Sequence, residues 1–88
     1  MPTILTLQGY QIAIFVHDHE PPHVHVFARG CEAIFNLNCP SGPPSLRKSW
    51  RFKERELYAI DALVETYNVL LCKAWEQIHA DKRRHPRS

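Results

Sequence analysis

The stretch Pro21-Pro22-His23-Val24-His25-Val26 decides the fold of this chain. Its alternation predicts a β-strand over residues 23–28, because successive side chains in a strand point to opposite faces. The two valines then share one face and the two histidines share the other. The proline pair restricts the backbone before the strand and defines where it begins. We expect the valine face to pack against the rest of the protein and the histidine face to line solvent or a groove.

Further strand-like segments surround this stretch. β-Branched and apolar residues predict strands over 3–7 and 10–16, joined by a Gln8-Gly9 turn. Another strand is predicted over 31–37, after an Arg29-Gly30 turn. The loop 38–45 contains three prolines and a glycine, and residues 46–52 fit a short strand or an extended segment.

The second half of the chain has a helical pattern. Residues 53–80 contain no Gly or Pro, and apolar residues recur at steps of three and four. The weak helix formers Tyr67-Asn68-Val69 predict a kink or a break into two helices. We therefore expect an α+β fold, in which a small antiparallel sheet of about four strands packs against one long C-terminal helix or two shorter ones.

The 88 residues are enough for one domain, which we place at residues 1–81, followed by a basic flexible tail at 82–88. Lys82, Arg83, Arg84 and Arg87 supply four positive charges in that tail. The body then has seven basic and nine acidic residues, so the chain is not a uniformly basic nucleic-acid binder. A core this small would gain stability from homo-oligomerisation.

No apolar run approaches the roughly 20 residues that span a membrane. The N-terminus has no basic region before an apolar stretch, so no signal peptide is predicted and a cytoplasmic location is expected. Cys31, Cys39 and Cys72 are odd in number and form no CxxC pair. With no secretory signal, this pattern predicts free thiols.

Four of the six histidines lie within residues 17–25, and three interpretations of them remain open. In the first, His23 and His25 bind a divalent metal such as zinc, and His17, His19, Asp18 or Glu20 completes the shell, with Asp18 named as the third ligand. In the second, His23 and His25 act as acid and base in metal-independent RNA cleavage. In the third, the imidazoles form hydrogen bonds within the sheet or mediate a subunit contact.

A second candidate binding region follows the proline-rich loop. Arg47, Trp50 and Arg51 form a basic patch that contains an aromatic ring, which can stack on a base and hold phosphates. The alternative is that Trp50 packs against the domain. His17 and His19 are further candidate binding residues. These residues do not decide whether the protein is an enzyme.

Several motifs together resemble a known family of small bacterial proteins. These motifs are MPTI at residues 1–4, Gly9-Tyr10, EPPHVHV at 20–26, Glu32-Ala33, and a terminal helix with Leu71 and Ala74-Trp75-Glu76. They resemble domain-of-unknown-function family 4160 over roughly residues 1–80. The recurring histidines of that family correspond here to His23 and His25, and no established catalytic residues can be carried over.

The resemblance implies a two-gene, toxin–antitoxin-like system with a small partner protein encoded nearby and an RNA target. We therefore expect a protein-binding module with a histidine-rich surface site. The first alternative is a metal-independent, histidine-dependent ribonuclease-like toxin. The second is a non-catalytic metal-binding domain.

Overall fold

The computed structural model describes residues 3–84, which form a five-stranded antiparallel sheet followed by two helices. The α+β class is confirmed, and the sheet has one strand more than expected. The helical half is broken at Tyr67, as one of the two alternatives predicts. The elements are β1 (Thr3–Leu7), β2 (Tyr10–Ile14), β3 (His23–Ala28), β4 (Cys31–Asn36), β5 (Ser45–Trp50), α1 (Glu54–Thr66) and α2 (Asn68–Arg84).

The sheet is a simple meander in which β3 is the central strand. Two-residue turns connect β1 to β2 and β3 to β4, and both residues of each turn have positive φ. Such turns match the twist of the strands that they join. The resulting register places Val26 opposite Ile12 on one side and Ala33 on the other, so that apolar rows cross the sheet.

One face of the sheet packs with both helices to form the core. Val24 and Val26 are fully buried there, which confirms the expected packing of the valine face. The core is continuous from sheet to helices. Its largest fully buried side chains are Ile12, Ile14, Val24, Val26, Phe35, Leu37, Ile60, Val64 and Leu71.

The histidine face does not line open solvent at the start of β3. His23 is only 5% exposed, and its ring centroid lies 5.3 Å from that of Trp75 on α2. The expectation that the histidine face lines solvent or a groove is therefore wrong at His23, which is enclosed. The cause is that the loop between β2 and β3 and the second helix close over this end of the strand, and β-strand alternation alone does not reveal such a cover.

The prediction of three free thiols is also wrong. Cys39 and Cys72 form a disulfide with a Cα–Cα distance of 5.7 Å, and Cys31 is the free cysteine. The bonded pair is separated by 33 positions in sequence and joins the proline-rich loop to α2. The sequence spacing carries no sign of this contact, because it arises only when the loop folds back onto the helix.

The start of α1 and the end of α2 both differ from what the sequence pattern predicts. The backbone N–H of Lys53 donates to the Glu56 carboxylate at 3.2 Å, which caps α1 without a Ser or Thr. Helix α2 continues to Arg84, three residues into the segment predicted as a tail, and residues 85–88 lie outside the described part. Within residues 3–84, neither helix combines the length and apolarity that crossing a membrane requires.

Two neighbouring leucines of α2 test the core. Leu71 is 1% exposed and Leu70 is 54% exposed. We expect Leu71→Ala to lower the free energy of unfolding by about 2–5 kcal/mol, because it removes buried methyl groups and leaves a cavity. Leu70→Ala is the matched control and should change it by less than about 0.5 kcal/mol. Urea denaturation followed by circular dichroism measures both, and equal losses would contradict the packing described here.

Candidate functional site

Asp18 is held in place by contacts on both sides of its loop. Its backbone N–H donates to the carbonyl oxygen of Phe15 at 3.1 Å, which closes a turn directly after β2. From the other side, His79 of α2 lies between two backbone carbonyl oxygens. Its Nδ1 is 2.9 Å from the oxygen of Trp75 and its Nε2 is 3.1 Å from the oxygen of Asp18, and a neutral ring donates to one of the two. The loop that carries Asp18 is therefore anchored to the second helix, next to the start of β3.

The Asp18 carboxylate meets both histidines of β3. Its Oδ2 atom lies 3.2 Å from Nε2 of His23 and 3.1 Å from Nε2 of His25. The three atoms all lie within 4.8 Å of one another. The same three residues form the metal set predicted from the sequence, and the structure brings them together. That they bind an ion stays a prediction.

The other nitrogen of each ring already has an acceptor. Nδ1 of His23 lies 2.8 Å from the carbonyl oxygen of Pro21, and Nδ1 of His25 lies 3.0 Å from Oε2 of Glu32. The Pro21 carbonyl oxygen only accepts hydrogen bonds, so its contact with His23 requires a proton on Nδ1. His25 has a carboxylate at each nitrogen, so it can donate from Nδ1 to Glu32 or from Nε2 to Asp18. When each neutral ring carries its proton on Nδ1, each Nε2 presents its lone pair toward Asp18.

This geometry sets an electrostatic problem. Two Nε2 lone pairs beside a carboxylate oxygen repel one another. If both Nε2 atoms instead carry protons, two imidazolium rings lie with centroids 5.3 Å apart and repel each other, while Asp18 and Glu32 attract them. A proton on one Nε2, donated to Asp18, satisfies the cluster, and a metal cation among the three atoms would do so as well.

Aromatic side chains limit access of water to the cluster. Trp75 contacts His23 and stacks on His79, with ring centroids 5.3 and 3.8 Å away. Phe15 contacts the His25 ring edge-on at 4.9 Å. The side chains of His23 and His25 are 7% and 15% exposed, whereas that of Asp18 is 23% exposed. Solvent therefore reaches the site mainly past the carboxylate.

The other residues predicted for a site lie elsewhere. His17 and His19 are exposed on the same loop and are not members of the cluster. Arg47 and Trp50 belong to β5, and Arg51 follows it; β4 separates this edge strand from the histidines of β3. Arg47 donates to Oδ1 of Asn36. Trp50 is 41% exposed rather than packed against the domain, and the Lys48 ammonium lies 5.1 Å from its ring centroid.

Glu32 and His79 are contributors that sequence reasoning missed. Glu32 lies opposite Phe27 across the β3–β4 hairpin and reaches diagonally to His25. The Arg29-Gly30 turn signal was a usable clue to that pairing, because diagonal neighbours across a hairpin come within reach of long side chains. His79 gave only one signal, its position four residues after Trp75 on the same helical face.

The hydrogen bond to Pro21 predicts one tautomer of His23. We expect the neutral ring in metal-free protein to carry its proton on Nδ1, since the carbonyl oxygen of Pro21 can only accept it. Long-range ¹⁵N–¹H correlation spectra of the imidazole nitrogens measure this directly. The exposed His19 serves as the reference ring in the same spectrum. A His23 ring that carries its proton on Nε2 would contradict the geometry.

Comparison with known proteins gives one match. The family described as a domain of unknown function, DUF4160, matches residues 9–76. No curated protein and no solved structure matches the chain. The matched segment runs from the first turn of the sheet to just past Trp75 and so contains Asp18, His23 and His25. The chain therefore belongs to the DUF4160 family of domains of unknown function.

Proposed function

We propose that this protein is a small metal-binding domain whose Asp18, His23 and His25 hold a divalent first-row transition ion such as zinc. One observation carries the proposal. Both Nε2 atoms converge on a single carboxylate oxygen, while each Nδ1 lies within hydrogen-bond distance of another acceptor. Neutral imidazole nitrogens and a carboxylate oxygen are the donors that such ions prefer.

The spacing of the donor atoms also fits an ion. Two ligand atoms bound to one tetrahedral zinc at the usual bond lengths lie about 3.3 Å apart. The observed separations between Asp18 Oδ2 and the two Nε2 atoms are 3.2 and 3.1 Å. The same distances are those of N–H···O hydrogen bonds, and the two Nε2 atoms lie within 4.8 Å of each other, so the donors would rearrange around a bound ion. Three protein ligands would leave a coordination position for water on the exposed Asp18 side.

The outer contacts resemble those that orient metal ligands. A metal-bound histidine commonly donates its second ring N–H to a carboxylate or a backbone oxygen, which fixes the ring and strengthens it as a ligand. Here Glu32 accepts from His25 and the Pro21 carbonyl accepts from His23. His79 positions Asp18 through its backbone oxygen. Each of the three proposed ligands is therefore fixed by a further contact.

The same features give less support to the ribonuclease alternative. Asp18 and Glu32 place two carboxylates against the imidazoles, which favours a cation and opposes a phosphodiester. Both Nε2 atoms contact the same oxygen, so the geometry shown has no gap for a phosphate between them. The cavities of about 420, 510 and 300 Å³ are lined by none of Asp18, His23 and His25.

The partner and location expectations remain predictions. A toxin–antitoxin-like pairing, a neighbouring partner protein, an RNA target, homo-oligomerisation and a cytoplasmic location are compatible with a metal-binding domain, and each needs its own test. The exposed Trp50 and its basic neighbours on β5 are the part of the sheet most suited to contact such a partner.

Titration with Co²⁺ tests the metal site. We expect the purified, tag-free protein to bind one equivalent, with visible absorption bands characteristic of nitrogen and oxygen ligands, and Zn²⁺ to displace it. Asp18→Asn should lower the affinity by at least about 100-fold, because a neutral amide replaces the central anionic ligand. Glu20→Gln removes one negative charge from the same exposed loop and is the matched control. Equal affinity of the two variants, or no binding by the parent protein, would overturn the proposal.

Glu32 provides a separate test of the outer contacts. We expect Glu32→Gln to weaken Co²⁺ binding by about 10–100-fold while the stoichiometry stays at one, because the His25 ring loses its charged acceptor. Glu65→Gln removes a comparable charge from the exposed surface of α1 and should leave the affinity unchanged. Isothermal titration calorimetry measures both variants. An unchanged affinity in Glu32→Gln would show that this contact does not support the ligand.

A further inference from the structure

The two cysteines of the Cys39–Cys72 disulfide differ in exposure. Cys39 is exposed on the loop after β4, whereas Cys72 is 7% exposed within α2. Thiol–disulfide exchange requires an attacking thiolate to reach one of the two sulfurs. A reductant can therefore approach the sulfur of Cys39, with that of Cys72 as the leaving group.

The disulfide holds the proline-rich loop against the second helix. Asn68, one turn before Cys72, packs so closely on Gly42 that a Cβ atom at that glycine would lie 2.7 Å from the Asn68 Nδ2 atom. Within the loop, the Gly42 N–H donates to the carbonyl oxygen of Asn38 at 2.8 Å. The loop thus has its own turn, and two neighbouring points of α2 hold that turn in place.

The same loop is bonded to the segment that orients His23. The backbone N–H of Leu37, two residues before Cys39, donates to the carbonyl oxygen of Pro22 at 3.0 Å. Pro22 directly follows Pro21, whose own carbonyl oxygen accepts the Nδ1 proton of His23. A displacement of the loop would therefore move the carbonyl oxygen of Pro21, which accepts from His23. The movement would pass through the Leu37–Pro22 hydrogen bond and the peptide unit between Pro22 and Pro21.

A second connection runs along α2. Trp75 lies three positions after Cys72, on an adjacent turn, and its ring contacts His23. A cavity of about 420 Å³ is lined by both cysteines of the disulfide and also by Pro22 and Trp75. The disulfide therefore shares this cavity with Pro22, which follows the acceptor of His23, and with Trp75, whose ring contacts His23.

We propose that the Cys39–Cys72 disulfide is a reversible redox latch that controls the affinity of the Asp18–His23–His25 site for its divalent metal. The inference rests on the metal-binding function proposed above. In the oxidised protein the latch holds the Pro21–Pro22 segment and Trp75 in the arrangement that fixes His23. Reduction releases the loop from α2, loosens the His23 ring and lowers metal affinity. By linkage, a bound metal makes the disulfide harder to reduce by the same factor.

The chemistry needs a dithiol as the reductant, either a small molecule or a protein with two cysteines. Its thiolate attacks the exposed Cys39 sulfur, the Cys39–Cys72 bond breaks, and Cys72 leaves as a thiolate that takes up a proton. The second thiol of the reductant then attacks the mixed disulfide and releases Cys39. Two electrons pass to the protein, and the reductant ends as a disulfide.

The test compares Co²⁺ affinity in the two redox states of the full chain. Cys31→Ser is the background, so that the only thiols are those of Cys39 and Cys72. The protein is reduced with a dithiol, and the dithiol is then removed under anaerobic conditions. The reduced and the oxidised protein are titrated with Co²⁺ in parallel, and binding is followed by visible absorption. We expect the reduced form to bind at least about fivefold more weakly. The same affinity in both states would overturn the latch and leave the metal site intact.

Two further measurements separate the outcomes. A Cys39→Ser/Cys72→Ser protein has neither the bond nor its thiols, so it should match the reduced form, which excludes metal capture by the freed cysteines. If that variant fails to fold, the reciprocal experiment uses the unaltered pair. In that experiment the oxidised protein is equilibrated with the dithiol, with and without Co²⁺. Alkylation of free thiols and mass spectrometry measure the fraction reduced, and we expect the metal to shift the equilibrium toward the disulfide. No Co²⁺ binding in either state would instead reject the metal site itself, and with it the latch.

Discussion

The central strand β3 is covered on both of its faces, and the rest of the structure follows from how the protein satisfies that constraint. Val24 and Val26 enter the core, where apolar neighbours are sufficient. His23 and His25 point the other way and lose most of their contact with water. Buried polar groups need hydrogen-bond partners, so the cover over this face must supply acceptors as well as packing. Asp18, Glu32 and the Pro21 carbonyl provide them.

The second helix supplies part of that cover through residues spaced four apart. Leu71, Trp75 and His79 lie along one ridge, because positions four apart in a helix are neighbours on its surface. Leu71 completes the core, Trp75 contacts His23, and His79 bonds to the Asp18 backbone. Cys72 lies beside this ridge and fastens the proline-rich loop to the same helix. Core, site and loop are thus joined through about two turns of α2.

The charge arrangement favours a cation over the other ligands considered. Two carboxylates approach the two imidazoles, and aromatic rings exclude water from the remaining sides. In such a setting, electrostatic interactions are stronger than in water. A phosphate would meet the carboxylates as like charges, whereas a divalent ion would be stabilised by Asp18 and coordinated by both neutral rings. The opposite charges of a phosphate and a metal ion therefore separate the ribonuclease interpretation from the metal-binding interpretation. The histidine motif alone separates them less clearly.

Much of the fold and part of the site could be predicted from local patterns. The HVHV alternation determined which side chains of β3 enter the core, and the Tyr67-Asn68-Val69 segment indicated where the helical half breaks. The Asp18, His23 and His25 set was among the predicted combinations, and its three donor atoms do converge. Sequence proximity could not decide between Asp18 and the alternatives Glu20, His17 and His19. That choice depends on the turn after β2 and on the bond from His79.

By itself, the sequence determined the periodic features: the strands, the helical stripe and the two faces of β3. These features depend on backbone repeats that are encoded over a few residues. Tertiary structure alone decided the Cys39–Cys72 bond, the reach of Glu32 to His25, the burial of His23 and the anchoring of Asp18 by His79. Each of these contacts joins segments whose relative positions depend on loop conformation and helix packing, which no local repeat specifies.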